Sequence, residues 1–381
     1  MPGLHTFRVR EEELELPARF RIIEPIGQGA FGYVFSGTEE VAPGLVRKIA
    51  VKKIKNITKT EATALRVLQE LSIMRHVKHE NVLGLQHVLT SPKGSLKDLY
   101  IVTCLMETDL GSVIKSNQEI SHMQAKLIFL QVLRGLEHMH ALGTIHRDIK
   151  PRNILINSNC DVKICDFGLS TLDSLNRSQR TAYVCTRWYR APEVLLGDRK
   201  YDNKVDVFSS GCVLAEMIGR RPLLPGSSND HQLELYIKRF GRLPAWASPG
   251  RQTPTDGVSG DLEDFMVGSK SLLVNEEGIA FIRYLCSPNA EDRPSMSLAL
   301  EHKWFGNLRL LSMASPPTNP LLSALPIYRD EKLPLKEFVR KEIKKINEDL
   351  AGARYSDGMQ QDILSDGDET PSTGCTIFKF T

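Results

Sequence analysis

No run of about 18 apolar residues occurs anywhere in the 381-residue chain, so no segment reads as a membrane-spanning helix. Charge of one sign is also missing. The 49 basic and 46 acidic side chains leave a formal +3, which gives no whole-chain attraction to nucleic acid or to an anionic lipid surface. Nucleic-acid and membrane partners are therefore not expected. The seven cysteines, Cys104, Cys160, Cys165, Cys185, Cys212, Cys286 and Cys375, include no Cys-x-x-Cys pair, which disfavours a zinc knuckle or a redox dithiol. The opening MPGLHTFRVREEELELPARF has no apolar core segment and carries an acidic cluster, so it does not read as a secretory leader. Its second residue is Pro2 rather than glycine, so myristoylation is not expected. Scattered cysteines without a leader read as reduced intracellular thiols, and cytoplasm and nucleus are the expected addresses.

What is present is an ordinary globular mixture, 41% hydrophobic and 25% charged. The length allows two or three domains or one large two-lobed unit. Residues 1–19 read as a polar, loose leader. From Phe20 to Tyr100 the runs FRIIEPI, GYVFSGT, VRKIAVKKI and LYIVTCLM are strand-like, and Thr60–Val77 sets Ala64, Val67, Leu68, Leu71 and Met74 at helical spacing. From about Leu110 the period becomes helical: Gln124–Leu142, the buried-type Asp206–Ile218, then His231–Phe240, Gly278–Leu285 and Ser297–Trp304. Trp246–Gly260 and residues 313–325 read as loops, Leu335–Leu350 as an amphipathic helix, and 352–381 as a largely disordered acidic tail. The expected fold class is thus α+β, a small sheet with one major helix followed by a larger helical part.

The chemistry is carried by spacing. Gly27-Gln28-Gly29-Ala30-Phe31-Gly32 leads from one strand-like run into another. A dinucleotide-binding turn would lead into a helix, so the pattern suits a glycine hairpin laid over phosphates, and equally a plain hairpin turn. Lys52, on the third strand-like run, suits a nucleotide's α/β-phosphates if Glu70 on the following helix fixes it; alone it fits a solvated strand lysine, as does Lys53. His146-Arg147-Asp148-Ile149-Lys150-Pro151-Arg152-Asn153, followed by Asp166-Phe167-Gly168, groups acid, cation and amide closely. Asn153 and Asp166 offer hard oxygen ligands for magnesium. Asp148 is left to accept a proton from a substrate hydroxyl, and Lys150 to neutralise a transferring phosphoryl group. Singly, Asp148 fits a turn former and His146 a core histidine; the joint spacing argues for chemistry.

Over residues 20–305 the sequence resembles a eukaryotic protein kinase, on GQGAFGYV, IAVKKI, HRDIKPRN, DFG, Ala191-Pro192-Glu193, the helix opening at Asp206, and Arg293. The resemblance implies a bilobal fold, with an N-lobe over 20–105, a C-lobe over 106–305, and a C-terminal extension over 306–351 packing back on the kinase. It implies ATP and Mg2+ as cofactors. Thr103 stands at the gatekeeper position, Cys104, Leu105 and Met106 form the hinge, and Val34, Ala50 and Leu155 sandwich adenine. Cys165 faces the nucleotide pocket, and a spine runs through Met74, Leu85, His146 and Phe167. By the same resemblance Glu193 and Arg293 would form a buried ion pair, and Asp206 would anchor the catalytic loop.

A narrower resemblance is to the mitogen-activated protein kinases (MAP kinases), on Thr181-Ala182-Tyr183 and the following TRWYRAPE. NSNCDVKICDFGL and GRRPLL are similar to the Nemo-like branch of that group, which lacks the lip tyrosine present here as Tyr183. The resemblance implies phosphorylation of Thr181 and Tyr183 by an upstream dual-specificity kinase. It implies protein substrates phosphorylated at Ser/Thr before Pro, with phosphatases and docking partners. Arg147, Arg187, Arg190 and, in part, Arg66 would bind the lip, and Trp188 and Tyr189 would be core. Two positions where the group carries lip-binding arginines hold Gln69 and Thr171, so the lip is expected to lean on Tyr183 more than is usual. Asp330 and Glu331 are candidates for an acidic docking patch, or a solvated charge pair. The competing class is a catalytically weak pseudokinase or scaffold on the same fold, which predicts losses among Lys52, Asp148, Asn153 and Asp166; all are present.

Overall fold

The computed structural model describes residues 4–29, 32–91, 96, 98–116, 118–172, 186–198, 201–241, 243, 260–269, 271–312 and 333–356. They fall into two compact units. The first takes described residues within Met1–Lys78, Leu83–Met106 and Leu322–Gly374; the second takes those within His79–Val82 and Glu107–Leu321. No helix among the described residues is long and apolar enough to cross a membrane.

The first unit opens with a hairpin, β1 (Leu4–Val9) against β2 (Glu12–Pro17). This corrects the expectation of a loose leader over 1–19. The signal is the alternation of EELELP, which buries Glu12, Leu14 and Leu16 and exposes Glu13 and Glu15, a period of two that an acidic composition masks. A five-stranded antiparallel sheet follows, built from β3 (Phe20–Gly29), β4 (Gly32–Ala42), β5 (Leu45–Lys55), β6 (His87–Thr90) and β7 (Asp98–Cys104) in the order β3-β4-β5-β7-β6. Its register separates two faces. Phe35 lies opposite Val51, which lies opposite Val102. These residues pack with Ile49, Tyr100, Phe20 and the hairpin's Leu14 and Leu16 into one apolar cluster. On the other face Val34 lies opposite Lys52, and Ala50 opposite Thr103.

Between β5 and β6 runs α1 (Glu61–His76), started by the Thr60 hydroxyl accepting from the Thr63 amide. The Ala64, Val67, Leu68, Leu71 and Met74 stripe is buried as the spacing requires. The first unit also holds the last described helix, α10 (Leu335–Ser356), which packs on α1 and β6. It continues past Leu350, so residues 352–356 are helical where a disordered tail was expected.

In the second unit, short strands β8 (Thr108–Asp109), β9 (Thr144–Ile145), β10 (Ile154–Ile156), β11 (Val162–Ile164) and β12 (Thr171–Leu172) form two small sheets, β11-β10-β8 and β12-β9. The helices are α2 (Leu110–Lys115), α3 (His122–Ala141), α4 (Pro192–Leu195), α5 (Lys204–Gly219), α6 (Asn229–Phe240), α7 (Leu262–Val267), α8 (Glu276–Leu285) and α9 (Met296–Leu300). A capping box starts α3, with Ser121 accepting from the Gln124 amide and Gln124 accepting from the Ser121 amide. Every residue of α5 from Val205 to Gly219 is buried, as its mostly apolar run demands. Gly211 lets α8 approach closely: a Cβ there would stand 2.5 Å from Cys286 Sγ and 2.8 Å from Leu285 Cβ. The helix expected over Ser297–Trp304 stops at Leu300 and resumes as a separate 3-10 segment at Lys303. The loop Trp246–Gly260, apart from Gly260, the connection 313–325 and the tail beyond Ser356 lie outside the described residues.

Candidate active site

Each unit carries its own constellation. In the first, period-two geometry sets Val34, Ala50, Lys52 and Thr103 on one face of the sheet, because residues directly opposite in an antiparallel pair share a face. Lys52 Nζ donates to Glu70 Oε1 at 2.7 Å, and the Glu70 side chain is only 4% exposed. The buried carboxylate therefore fixes an ammonium that is itself still partly open. Thr103 is buried, its hydroxyl donating to the Cys104 carbonyl at 3.3 Å, while the Leu105 amide donates to the Lys48 carbonyl at 3.4 Å and Met106 is buried. Gly27, Gln28 and Gly29 end β3 and pair with Val34, Tyr33 and Gly32 of β4. Ala30 and Phe31 lie outside the described residues. Gly32 has φ +154°, and a Cβ on it would lie 1.9 Å from the Lys53 carbonyl oxygen, so no other residue fits there. The glycine pattern thus joins strand to strand, β3 pairing with β4 up to Gly29 and Gly32, as the sequence suggested.

The second unit's constellation is organised around Asp206, which is fully buried at the start of α5. Its Oδ2 accepts from the His146 amide and its Oδ1 from the Arg147 amide, both at 2.8 Å, and His140 Nε2 lies 2.9 Å from Oδ2. Burial pushes this carboxyl up, but His140 first and the Arg147 amide with it outweigh burial and hold it below the usual range. The two amide bonds hold Arg147 at φ 71°, a left-handed conformation a branched or long side chain rarely adopts. His146 Nδ1 accepts from the Asp148 amide at 3.2 Å, so its proton sits on Nε2, which donates to the Cys165 carbonyl at 3.0 Å. The same ring meets Phe167 edge-on at 5.5 Å.

Asp148 is thereby delivered into a fixed position. Its Oδ2 accepts from Lys150 Nζ at 2.6 Å and from Asn153 Nδ2 at 3.0 Å, and Asn153 Nδ2 also donates to the Asp148 carbonyl at 2.8 Å. With its nitrogen committed, the Asn153 amide has its oxygen left for a hard cation. The Cys165 amide donates to the Asn153 carbonyl at 2.9 Å, which brings the exposed, left-handed Asp166 (φ 68°) beside Asn153. Among the described residues no cluster of three or more His, Cys, Asp or Glu forms a metal site. An amide oxygen and a carboxylate do fit magnesium, which takes few protein ligands and completes its shell with phosphate and water. Leu155 is half-buried between buried Ile154 and Ile156, so it projects from the opposite face of β10.

Of the lip set, Thr181, Ala182 and Tyr183 lie outside the described residues. Arg147, Asp148, Thr186 and Arg190 line one small cavity. The Arg147 guanidinium stands over the Tyr201 ring at 5.6 Å, and Arg187 Nη1 donates to the Ser227 carbonyl at 2.8 Å. Arg66 is exposed on α1, and Asp330 and Glu331 are outside the described residues. Thr171 is buried in β12. Trp188 corrects its expected place in the core: it is 36% exposed and tethered by Nε1 to the Gly226 carbonyl, whereas Tyr189 is buried with its hydroxyl donating to Glu216 Oε2 at 2.7 Å. Burial raises the Glu216 pKa, and the Tyr189 hydrogen bond only partly offsets it. Glu193 and Arg293 form a buried bidentate pair at 2.6 and 2.8 Å.

The charge partners behind the site were missed in the sequence. Lys53, expected in solvent, is 4% exposed and paired with Glu12 and Asp98. His140, in the last turn of α3, was not singled out although it completes the Asp206 anchor. The available signal for Lys53 was its alternation with Lys52, which sends neighbouring lysines to opposite faces.

The sequence pattern of the Protein kinase domain matches residues 20–305. Mitogen-activated protein kinase 7 of Arabidopsis thaliana is 44% identical over 240 residues, covering 63% of this chain and 64% of that protein. Mitogen-activated protein kinase homolog NTF3 of Nicotiana tabacum is 44% identical over 241 residues, with 63% and 64% covered. Mitogen-activated protein kinase 5 of Oryza sativa subsp. indica is 37% identical over 338 residues, covering 86% of this chain and 85% of that protein. The chain thus spans 64% of the length of the first of these relatives. The match across residues 20–305 and the extended similarity to the rice protein place this chain in the protein kinase family, within the mitogen-activated protein kinase group.

Proposed function

We propose that the protein is a serine/threonine kinase that transfers the γ-phosphoryl of ATP to Ser or Thr, preferentially before Pro, in protein substrates. The observation that carries this reading is the Asp148 carboxylate, oriented by Asn153, paired with Lys150 and set on a backbone that Asp206 locks. Asp148 accepts the proton of the acceptor hydroxyl as the oxygen's electron pair forms its bond to the γ-phosphorus, while the bond to the β-bridging oxygen breaks and ADP leaves. Lys150 stabilises the charge on the transferring group. Lys52, held by Glu70, orients the phosphates, Gly27, Gly29 and Gly32 cover them, and the Thr103–Met106 segment, where β7 ends, meets the adenine. Asn153 and Asp166 would hold Mg2+, whose charge neutralises the phosphate oxygens when bound.

Residues 20–305 form the catalytic part in this reading, with residues 306–351 as its C-terminal extension. The protein acts in cytoplasm and nucleus, and an upstream dual-specificity kinase switches it on at Thr181 and Tyr183. Because Gln69 and Thr171 are neutral and Arg187 and Arg190 remain, the charge added at Tyr183 matters more than that at Thr181.

The test uses full-length protein after lip phosphorylation, with Mg2+-ATP and paired Ser-Pro and Ser-Ala peptides. The Ser-Pro peptide is phosphorylated faster, and Asp148→Asn lowers kcat about 10²–10⁴-fold. No transfer by the phosphorylated wild type would sink the proposal in favour of a scaffold. For the lip, Tyr183→Phe costs more activity than Thr181→Ala; the reverse order overturns that part.

A further inference from the structure

Among the described residues Lys53 is the most deeply buried lysine of the first unit's sheet, and catalysis as proposed does not use it. Its ammonium has three protons and meets three acceptors: Glu12 Oε2 at 3.1 Å, Asp98 Oδ2 at 3.2 Å and the Glu13 carbonyl at 2.6 Å. Lys55, two residues along the same face, donates to the other Glu12 oxygen. Burial pushes the Glu12 carboxyl up, yet the two lysines more than offset it and hold it low. A second tie joins the same elements, as the Glu15 amide donates to the Tyr100 hydroxyl at 3.3 Å, and Tyr100 is the cross-strand partner of Lys53. The β1–β2 hairpin is therefore fastened to β5 through Lys53 and Lys55 and to β7 through Tyr100, and the residue at the centre of these ties is Lys53.

That residue is where displacement would matter. Its neighbour Lys52 projects from the opposite face to Glu70, and its own carbonyl oxygen is the atom against which Gly32 closes. A shift of β5 at Lys53 moves both the phosphate-facing ammonium and the glycine turn. We propose that Glu12, Lys53 and Asp98 are positioning residues that clamp β5 from its outer face and so set Lys52 and Gly32 for nucleotide phosphates. The proposal rests on the kinase reading for its kinetic consequence, but not for its mechanical one.

Glu12→Gln keeps the shape and removes the charge. Misplacement of groups that hold phosphates in ground and transition state alike raises KM with little change in kcat. Glu12→Gln is expected to raise KM for ATP about fivefold with kcat within about twofold, and Glu12→Asp to fall between it and wild type. Ile346→Ala, in the last described helix and outside the site, is the control for loss of stability, compared at equal distance below each variant's melting temperature. An unchanged KM in Glu12→Gln, or an equal rise in the control, overturns the proposal. If Glu12→Gln does not fold, Lys55→Met removes the half-exposed member of the cluster and is read the same way. Hydrogen exchange of nucleotide-free protein gives an answer independent of turnover. Glu12→Gln is expected to speed exchange of the Lys52–Ile54 amides but not those of α1. Unchanged β5 exchange overturns the clamp even in a fully active enzyme, whereas faster exchange in a protein whose wild type transfers no phosphoryl sustains the clamp and sinks only the kinase reading.

Discussion

Asp206 shows how one side chain sets a site from behind. Its two oxygens each hold a separate amide, and together they keep Arg147 in the left-handed region so that Asp148 follows in a fixed direction. Asparagine offers one acceptor, and its amino group would face a second N–H. Asp206→Asn is expected to lower kcat about 10–100-fold and to destabilise the fold by about 2–4 kcal/mol. Steady-state kinetics beside a urea titration measure both, and a variant that keeps wild-type kcat would refute the anchoring role. Asp148, Lys150 and Asn153 were legible together in the sequence because they share the contiguous run His146–Asn153, where local backbone geometry suffices to gather them. Asp206 was connected to that run only through the family resemblance and His140 not at all, because they reach it from α5 and α3, and only packing brings those helices to it.

At the scale of elements, the sheet of the first unit is pinned by charges as well as by its apolar face. Glu39 is 2% exposed on β4 and accepts from Arg19 Nε at 3.1 Å and Arg47 Nη2 at 2.6 Å, with His87 Nε2 at 2.7 Å. Burial pushes its carboxyl up, but His87 and Arg47 outweigh burial and bring it from 4.5 down to about 2. A depressed carboxylate contributes stability that is fully present above its unfolded pKa and lost as pH falls through the folded one. Here that window runs from 4.5 down to about 2, and the contribution is at most about 3 kcal/mol. Glu39→Gln is therefore expected to be less stable than wild type near neutrality, with the gap closing as the pH is lowered through that window. Urea titrations across the window check it, and a gap independent of pH would rule it out. The strands themselves were readable from β-branched and aromatic runs. The β1–β2 hairpin was not, because its buried positions include Glu12, whose burial is tolerable only beside Lys53 and Lys55.

At the scale of the whole chain, the last described segment returns to the first unit. The helix α10 buries Phe338, Val339, Ile343 and Ile346, while Arg75 of α1 pairs with Asp349 at 2.7 Å and Asn347 Nδ2 donates to the Val88 carbonyl at 3.0 Å. Ile346 is 1% exposed, and Ile346→Ala is expected to cost about 2–5 kcal/mol. Thermal or urea unfolding measures this, and a loss below about 1 kcal/mol would show that α10 is not an integral part of the unit.

The sequence by itself determined the local arrangement: the glycines where β3 meets β4, Lys52 on β5, the His146–Asn153 run, the position of Asp166 and the apolar stripes of α1, α3 and α5. Each depends on neighbours within a few residues, where backbone period and side-chain type suffice. Only the tertiary structure decided which charges are buried together. Glu12 with Lys53 and Asp98, Glu39 with His87, Asp206 with His140 and Trp188 at the surface are all pairings or exposures between segments far apart in the chain. A buried charge is stable only where a distant partner meets it, and which partner that is depends on how the strands and helices pack.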